Sequence, residues 1–171
     1  MRELENLSLP VVSILDGYAI GGGLELALAS DIIIASESAT LGQAEVNLGL
    51  IPGFGGTQRL ALRAGLGRAK RLIFTGETIS ASDAYELGVV DYVFPDAKLE
   101  EESQKIISGL VNSSPMAIAA AKRAIEKGVD NRKTAGLTRE VDEFLEVFNF
   151  EDCKEGLGAF VEKRKANFPG K

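Results

Sequence analysis

Short apolar runs alternate with glycine-rich turns through the first half of the chain, and helix-spaced patterns fill the second. Residues 9–15, Leu-Pro-Val-Val-Ser-Ile-Leu, form a brief β-branched run that reads as a buried strand. Asp16 to Gly23 follow as a glycine-rich turn, and Leu24 to Ser30 as a short helix. Asp31 leads into a second buried strand at Ile32–Ala35, and residues 39–42 read as a short extended piece. Glycine and proline through residues 43–58 predict a loop. Helices are predicted over 59–64 and 68–75, and again from an N-cap at Ser80 to Leu87, with Gly88 as its stop. Residues 89–94 read as a strand closed by Pro95 and Asp96.

The pattern changes from Leu99 onward, where no strand signal remains. Helices are predicted at 98–112, 115–127, 133–148 and 151–164, separated by Ser113-Ser114-Pro115 and by Gly128, Asp130 and Asn131. The chain therefore divides into an α/β part, residues 1–98, and an all-helical part, residues 99–171. The repeated order of strand, turn and short helix in the first part suggests stacked β-β-α turns. No run of about 18 apolar residues occurs, so no membrane span is expected. The opening Met1-Arg2-Glu3-Leu4-Glu5 has no apolar h-region and is acidic, unlike a signal or transit peptide.

Composition narrows the chemistry more than the fold. The 171 residues are 45% hydrophobic and 26% charged, enough for a core of one domain. A net charge of −6 disfavours nucleic acid, whose phosphates need a basic face. The local exception is Lys163-Arg164-Lys165, which is either a solvated helix face or a contact for a small anion. There is one cysteine, Cys153, and no histidine. No disulfide forms within the chain, which fits a reducing compartment, and no Cys/His zinc site or Ser-His or Cys-His nucleophile can be built from it. Acid–base work falls to Asp, Glu, Lys or Tyr.

Two glycine-rich stretches each precede a helix: Gly21-Gly22-Gly23, and Gly53-Phe54-Gly55-Gly56. Neither has the spacing of a Walker loop or a dinucleotide fingerprint. Such a turn can instead aim backbone N–H groups at a developing oxyanion, aided by the helix dipole. Glu25 lies among Leu24, Leu26, Ala27, Leu28 and Ala29, so its carboxylate is expected to be buried. A buried carboxylate beside an oxyanion turn is a candidate for chemistry, because leaving it unpaired is unfavourable. Glu45 sits in a mixed apolar and amide segment, Leu41 to Leu50, and reads on its own as an exposed loop residue. Taken with Glu25 it can share a water, one carboxylate accepting a proton while the other donates.

Three blocks of the chain resemble the enoyl-CoA hydratase/isomerase (crotonase) family. They are Pro10-Val11-Val12 with Asp16 through Ala27 and Asp31 through Ala35, then Leu41 through Glu45 with Gly49 through Leu60, and finally Glu155-Gly156 with Ala159 through Arg164. Leu72 through Gly76, and Ala84 with Gly88 through Val90, extend the match. The resemblance implies a partial crotonase-like β-β-α spiral core followed by an all-helical C-terminal region that builds homotrimers or dimers of trimers. It implies an acyl-CoA thioester as substrate, coenzyme A being part of that substrate, and no separate cofactor, metal, nucleic acid or membrane partner.

Gly22 matches the position whose N–H forms half of the family's oxyanion hole. Glu25 and Glu45 match the two catalytic glutamates of the hydratases, Glu25 as base on water and Glu45 as proton donor to the α-carbon. Family isomerases keep the second carboxylate and lose the first, so the presence of both implies hydration of a trans-2-enoyl-CoA to a 3-hydroxyacyl-CoA. Phe144, Phe160 and Lys163 match groups that close the acyl-CoA pocket, where helical core is the competing expectation for the two phenylalanines. Ala44 departs from the proline common before the second glutamate.

By the same comparison the chain opens inside the helix that precedes the first strand. The family's N-terminal segment, which carries the second oxyanion N–H and much of the coenzyme A surface, is then expected to lie outside it. Two alternatives follow: a catalytically silent structural and oligomerising fragment, or an isomerase or decarboxylase on the same scaffold. The family's setting implies the cytoplasm, or the mitochondrial matrix in a eukaryote.

Overall fold

The computed structural model describes residues 1–48, 50–130, 146 and 149–171. They form two compact units, one of residues 1–7 and 11–105, the other of residues 8–10 and 106–171.

In the first unit, helix α1 (Arg2–Glu5) precedes strands β1 (Val12–Leu15) and β2 (Tyr18–Ile20), and α2 (Gly22–Leu28) follows. The order repeats with β3 (Ile32–Ser36) and β4 (Thr40–Gly42). β3 lies parallel to β1, Val12 opposite Ile32 and Leu15 opposite Ala35. β4 lies parallel to β2, Tyr18 opposite Thr40 and Ile20 opposite Gly42. Each strand of the second turn thus pairs with its counterpart in the first, which is a β-β-α spiral. Helices α3 (Gly56–Ala64) and α4 (Leu66–Thr75) come next, then β5 (Thr78–Ser80), α5 (Ala81–Glu86) and β6 (Tyr92–Phe94). β5 runs antiparallel to β4, while β6 completes the first sheet in parallel with β3.

The core between these elements is made by Leu24, Leu28, Ile33, Leu41, Leu60, Leu72 and Val89, with small residues such as Ala27, Ala64 and Ala84 between them. Complete burial of each large aliphatic side chain contributes about 1.5–3 kcal/mol before entropy is subtracted. Polar pins fix the strand ends. Asp31 Oδ2 accepts from Val11 N–H at 2.6 Å, and Asp91 Oδ2 accepts from Ile33 N–H at 2.7 Å. Arg63 donates to the carbonyls of Ser30 and Asp31 at 3.1 and 2.9 Å and pairs with Asp91.

Several predicted boundaries move. The turn predicted over 16–23 contains β2, a three-residue strand in which only Ala19 is buried, too short for a periodic signal. The polar β5 was likewise invisible to a hydrophobic pattern. The loop predicted over 43–58 holds a 3-10 turn at Glu45–Leu48, and α3 begins at Gly56 instead of Arg59. The strand predicted over 89–94 contracts to Tyr92–Phe94; Val89 and Val90 are buried but lie outside the ladder. Ser80 does cap α5, accepting from Asp83 N–H at 3.1 Å.

Helix α6 (Leu99–Val111) runs into the second unit, which also holds α7 (Pro115–Asp130) and α8 (Glu151–Glu162). Ser114 begins α7 by accepting from Ala117 N–H and donates to the buried carboxylate of Asp152. Asp152 also accepts from Gly170 N–H at 2.7 Å, and Lys171 O accepts from Glu151 N–H at 2.8 Å, tying residues 170–171 to the start of α8. The helix predicted over 133–148 lies almost wholly outside the described residues.

Candidate active site

Two sequence-distant loops converge on the start of α2. Gly21, at φ 58°, donates its N–H to Gly42 O and accepts from Glu25 N–H at 3.0 Å. This turn delivers the chain from β2 into α2 with Glu25 in the first helical turn. Glu25 is 1% exposed, as the apolar run around it predicts, whereas Leu26 on the same helix is exposed. The Glu25 carboxylate is not left unpaired: Oε1 accepts from Phe54 N–H and Gly56 N–H, both at 2.8 Å. Both donors come from the second glycine-rich stretch. That stretch binds a side chain of its own protein, which satisfies one oxygen and leaves the second available.

Glu45 begins the 3-10 turn after β4 and is half-buried, not the exposed loop residue that its own segment suggested. Its Oε1 would lie 3.2 Å from a methyl group on Gly21, so it packs against the N-cap of the helix that carries Glu25. Gln43, fully buried, bonds to the Glu45 carboxylate and lies close to Gly56, the residue that donates to Glu25. Because a carboxylate only accepts, the Gln43 amide presents its nitrogen, donating to the Glu45 oxygens at 3.0 and 2.9 Å. A methyl group on Gly56 would lie 3.0 Å both from the Gln43 amide and from Glu25 Oε1, so the three groups share one small volume. Gln43 was visible in the sequence only as an amide within an otherwise apolar run.

The 53–56 turn has its own support. Gly55 has φ 106°, a left-handed conformation that favours glycine, and a methyl there would overlap Arg59 Nη1. Arg59 donates through Nη1 to Phe54 O at 2.6 Å, and through Nε and Nη2 to the two oxygens of Glu5, each at 2.5 Å. The bidentate Glu5 contact raises the Arg59 pKa above its already high value; burial opposes this, and the charges of Glu5 and Glu25 add to it. Neither Arg59 nor Glu5 stood out in the sequence as a site residue, because an arginine and a glutamate 54 positions apart carry no local signal.

Gly22, the first residue of α2, has an open approach: a methyl on Gly22 or Gly23 would meet nothing within 4 Å among the described residues. The first N–H groups of a helix have no intrahelical partner. Phe144 lies outside the described residues, and Phe160 falls in α8. Lys163 follows α8, is exposed and has φ 54°. Its basic neighbours are engaged: Arg164 pairs with Glu155 and Glu162, and Lys165 donates to Asn112 at 3.0 Å. A separate cavity of about 490 Å³ is lined by Glu37, Ser82, Tyr85, Tyr92 and Val93, none of them a predicted site residue. Among the described residues no cluster of three or more His, Cys, Asp or Glu could hold a metal, and no helix is long and apolar enough to cross a membrane.

The profile of the Enoyl-CoA hydratase/isomerase family matches residues 1–171. A short-chain-enoyl-CoA hydratase of Clostridium acetobutylicum is 43% identical over 164 residues, covering 96% of this chain and 63% of the relative. A crotonyl-CoA hydratase of Syntrophomonas wolfei is 41% identical over 170 residues, covering 99% and 65%. The crystal structure of an enoyl-CoA hydratase from Bacillus anthracis superposes with a TM-score of 0.96 at 44% identity, covering 99% of this chain and 66% of that one. The chain thus spans slightly less than two thirds of these relatives, and its spiral is their fold. On the full-length family match and these relatives, the chain belongs to the enoyl-CoA hydratase/isomerase, or crotonase, family.

Proposed function

We propose that the protein carrying this sequence hydrates a trans-2-enoyl-CoA thioester by syn addition, giving a 3-hydroxyacyl-CoA. Glu25 removes a proton from water as its oxygen bonds to C3 of the substrate. Glu45 enters the step as its carboxylic acid and delivers that proton to C2. The proton taken up by Glu25 then passes back to Glu45 before the next turnover, so one water is consumed and the pair ends as it began. As electrons move from the double bond toward the thioester, its carbonyl oxygen becomes negative and is held by the Gly22 N–H at the positive end of α2.

The observation that carries this reading is the asymmetric holding of Glu25. One oxygen is fixed by two N–H groups at 2.8 Å and the other remains for water, while Glu45 is held beside it by Gln43. Two fixed carboxylates side by side suit addition of water better than isomerisation, which the family carries out with the second carboxylate alone. Phe144, Phe160 and Lys163 complete the reading as groups closing over acyl chain and coenzyme A. Assembly as a homotrimer or dimer of trimers, in the cytoplasm or the mitochondrial matrix, belongs to the same reading. It uses no cofactor apart from the coenzyme A of the substrate.

Product analysis with crotonyl-CoA and longer enoyl-CoAs tests it. Formation of 3-hydroxyacyl-CoA is expected; a shifted double bond or a released carbon dioxide would replace hydration by isomerisation or decarboxylation. The second reading is a chain that folds and associates without turning over. Assay of this chain beside a measurement of its size in solution separates the two, since turnover at a relative's rate excludes the silent fragment.

A further inference from the structure

The two N–H groups that orient Glu25 are only as well placed as the turn that bears them. That turn contains two consecutive glycines, Gly55 and Gly56, with Phe54 65% exposed at its tip. Glycine loses more freedom on ordering than other residues, so a turn of this composition needs an external hold to keep a fixed geometry. The Arg59 guanidinium supplies one. It donates to the carbonyl of Phe54, the residue whose N–H donates to Glu25 Oε1. Its other face is occupied by both oxygens of Glu5, from α1. The planar fork thereby joins three chain segments, and the peptide units of one residue, Phe54, connect guanidinium to carboxylate.

We propose that Arg59 is a positioning residue for Glu25, acting through the Phe54 peptide units and held in place by Glu5. The proposal rests on the reading of Glu25 as the base. Its consequence is a division of labour in which Arg59 touches neither substrate nor water, yet sets which Glu25 oxygen faces them. It also makes α1, four residues with no buried side chain, a determinant of the site through Glu5.

The test compares Arg59→Met, Arg59→Lys and Glu5→Gln with the parent protein by crotonyl-CoA hydration, by thermal unfolding, and by NMR of the Phe54 and Gly56 amides. Displacing a catalytic group by about 1 Å lowers rate about 100-fold. The expected result for Arg59→Met is a kcat lowered on that scale with KM little changed, together with upfield movement and faster exchange of both amide protons. Arg59→Lys should recover little, because an ammonium cannot grip a carboxylate and a carbonyl with one rigid fork. Glu5→Gln should give a smaller loss in the same direction, and it serves as the readout if Arg59→Met does not fold. An Arg59→Met protein with parental kcat and unmoved Phe54 and Gly56 amides would overturn the proposal. So would a kcat loss that matches the loss of folded protein and is fully restored by lysine. If the parent hydrates no enoyl-CoA, the hydratase reading fails by itself, and the amide resonances still decide whether Arg59 holds the turn.

Discussion

Gly56 donates its N–H to Glu25 Oε1 at 2.8 Å, and a methyl group on the same glycine would lie 3.0 Å from that oxygen. The bond and the steric limit come from one residue. Gly56→Ala keeps the donor but places its methyl against Glu25 Cγ, Glu25 Oε1 and the Gln43 amide. All three are buried, so relief requires the carboxylate or the turn to move. We expect a stability loss of about 1–3 kcal/mol by denaturant titration and a larger proportional fall in kcat than in folded protein. An alanine variant with parental kcat would show that the turn yields without disturbing Glu25.

Arg63 offers a contrast, since its bonds serve the fold alone. It donates to Ser30 O and Asp31 O and pairs with Asp91, which in turn receives Ile33 N–H. Arg63→Met leaves the carbonyls of Ser30, Asp31 and Val89 without this donor and is expected to destabilise by about 1–3 kcal/mol. In the fraction that remains folded, kcat should be parental. Chemical unfolding followed by assay at a temperature where the variant is intact checks both parts.

Glu155, half-buried at the surface, gives a pH prediction away from the carboxylate site. The Arg164 guanidinium, with a smaller effect from Asn167 N–H, holds its pKa down to about 2 from an ordinary 4.5. Because the folded value is the depressed one, the stabilisation is complete above about 4.5 and fades as pH falls toward about 2. The pair lies at the surface with Arg164 exposed, so solvent screens it and the effect on global stability is small. A carboxyl NMR titration should give the low midpoint in the parent and a clearly higher one in Arg164→Gln. An unchanged midpoint in the variant would assign the shift to Asn167 alone.

Much of this was legible in the chain before its fold. Both β1 and β3 were legible as short apolar runs, but only β3 is buried as expected: β1 has no buried residue and Ile14 in it is exposed, because β3 covers one edge of it and β6 pairs on the far side of β3. The burial of Glu25 follows from the leucines and alanines around it. Glu45 was not legible alone, since its half-burial depends on Gly21 and Gln43, one on another turn of the spiral. β2 and β5, at three residues each, are defined by partners and not by pattern: Tyr18 and Ile20 are exposed, and only their pairing to Thr40 and Gly42 makes a strand. The Glu5–Arg59–Phe54 contacts were hidden for the same reason. Local periodicity reports what a segment buries, while this contact depends on where the spiral brings α1 and α3.

The central claim is that Glu25 and Glu45 act on one water. The most direct test is a double-mutant cycle on kcat for crotonyl-CoA hydration, using Glu25→Gln, Glu45→Gln and the pair together. Each single change should lower kcat by about 100- to 10,000-fold, the usual range for a general acid or base. Residues that act as a unit are strongly non-additive, so the double variant should be scarcely slower than the slower single one. Near-parental hydration by either single variant, or a double variant slowed by the full product of the two losses, would contradict the account.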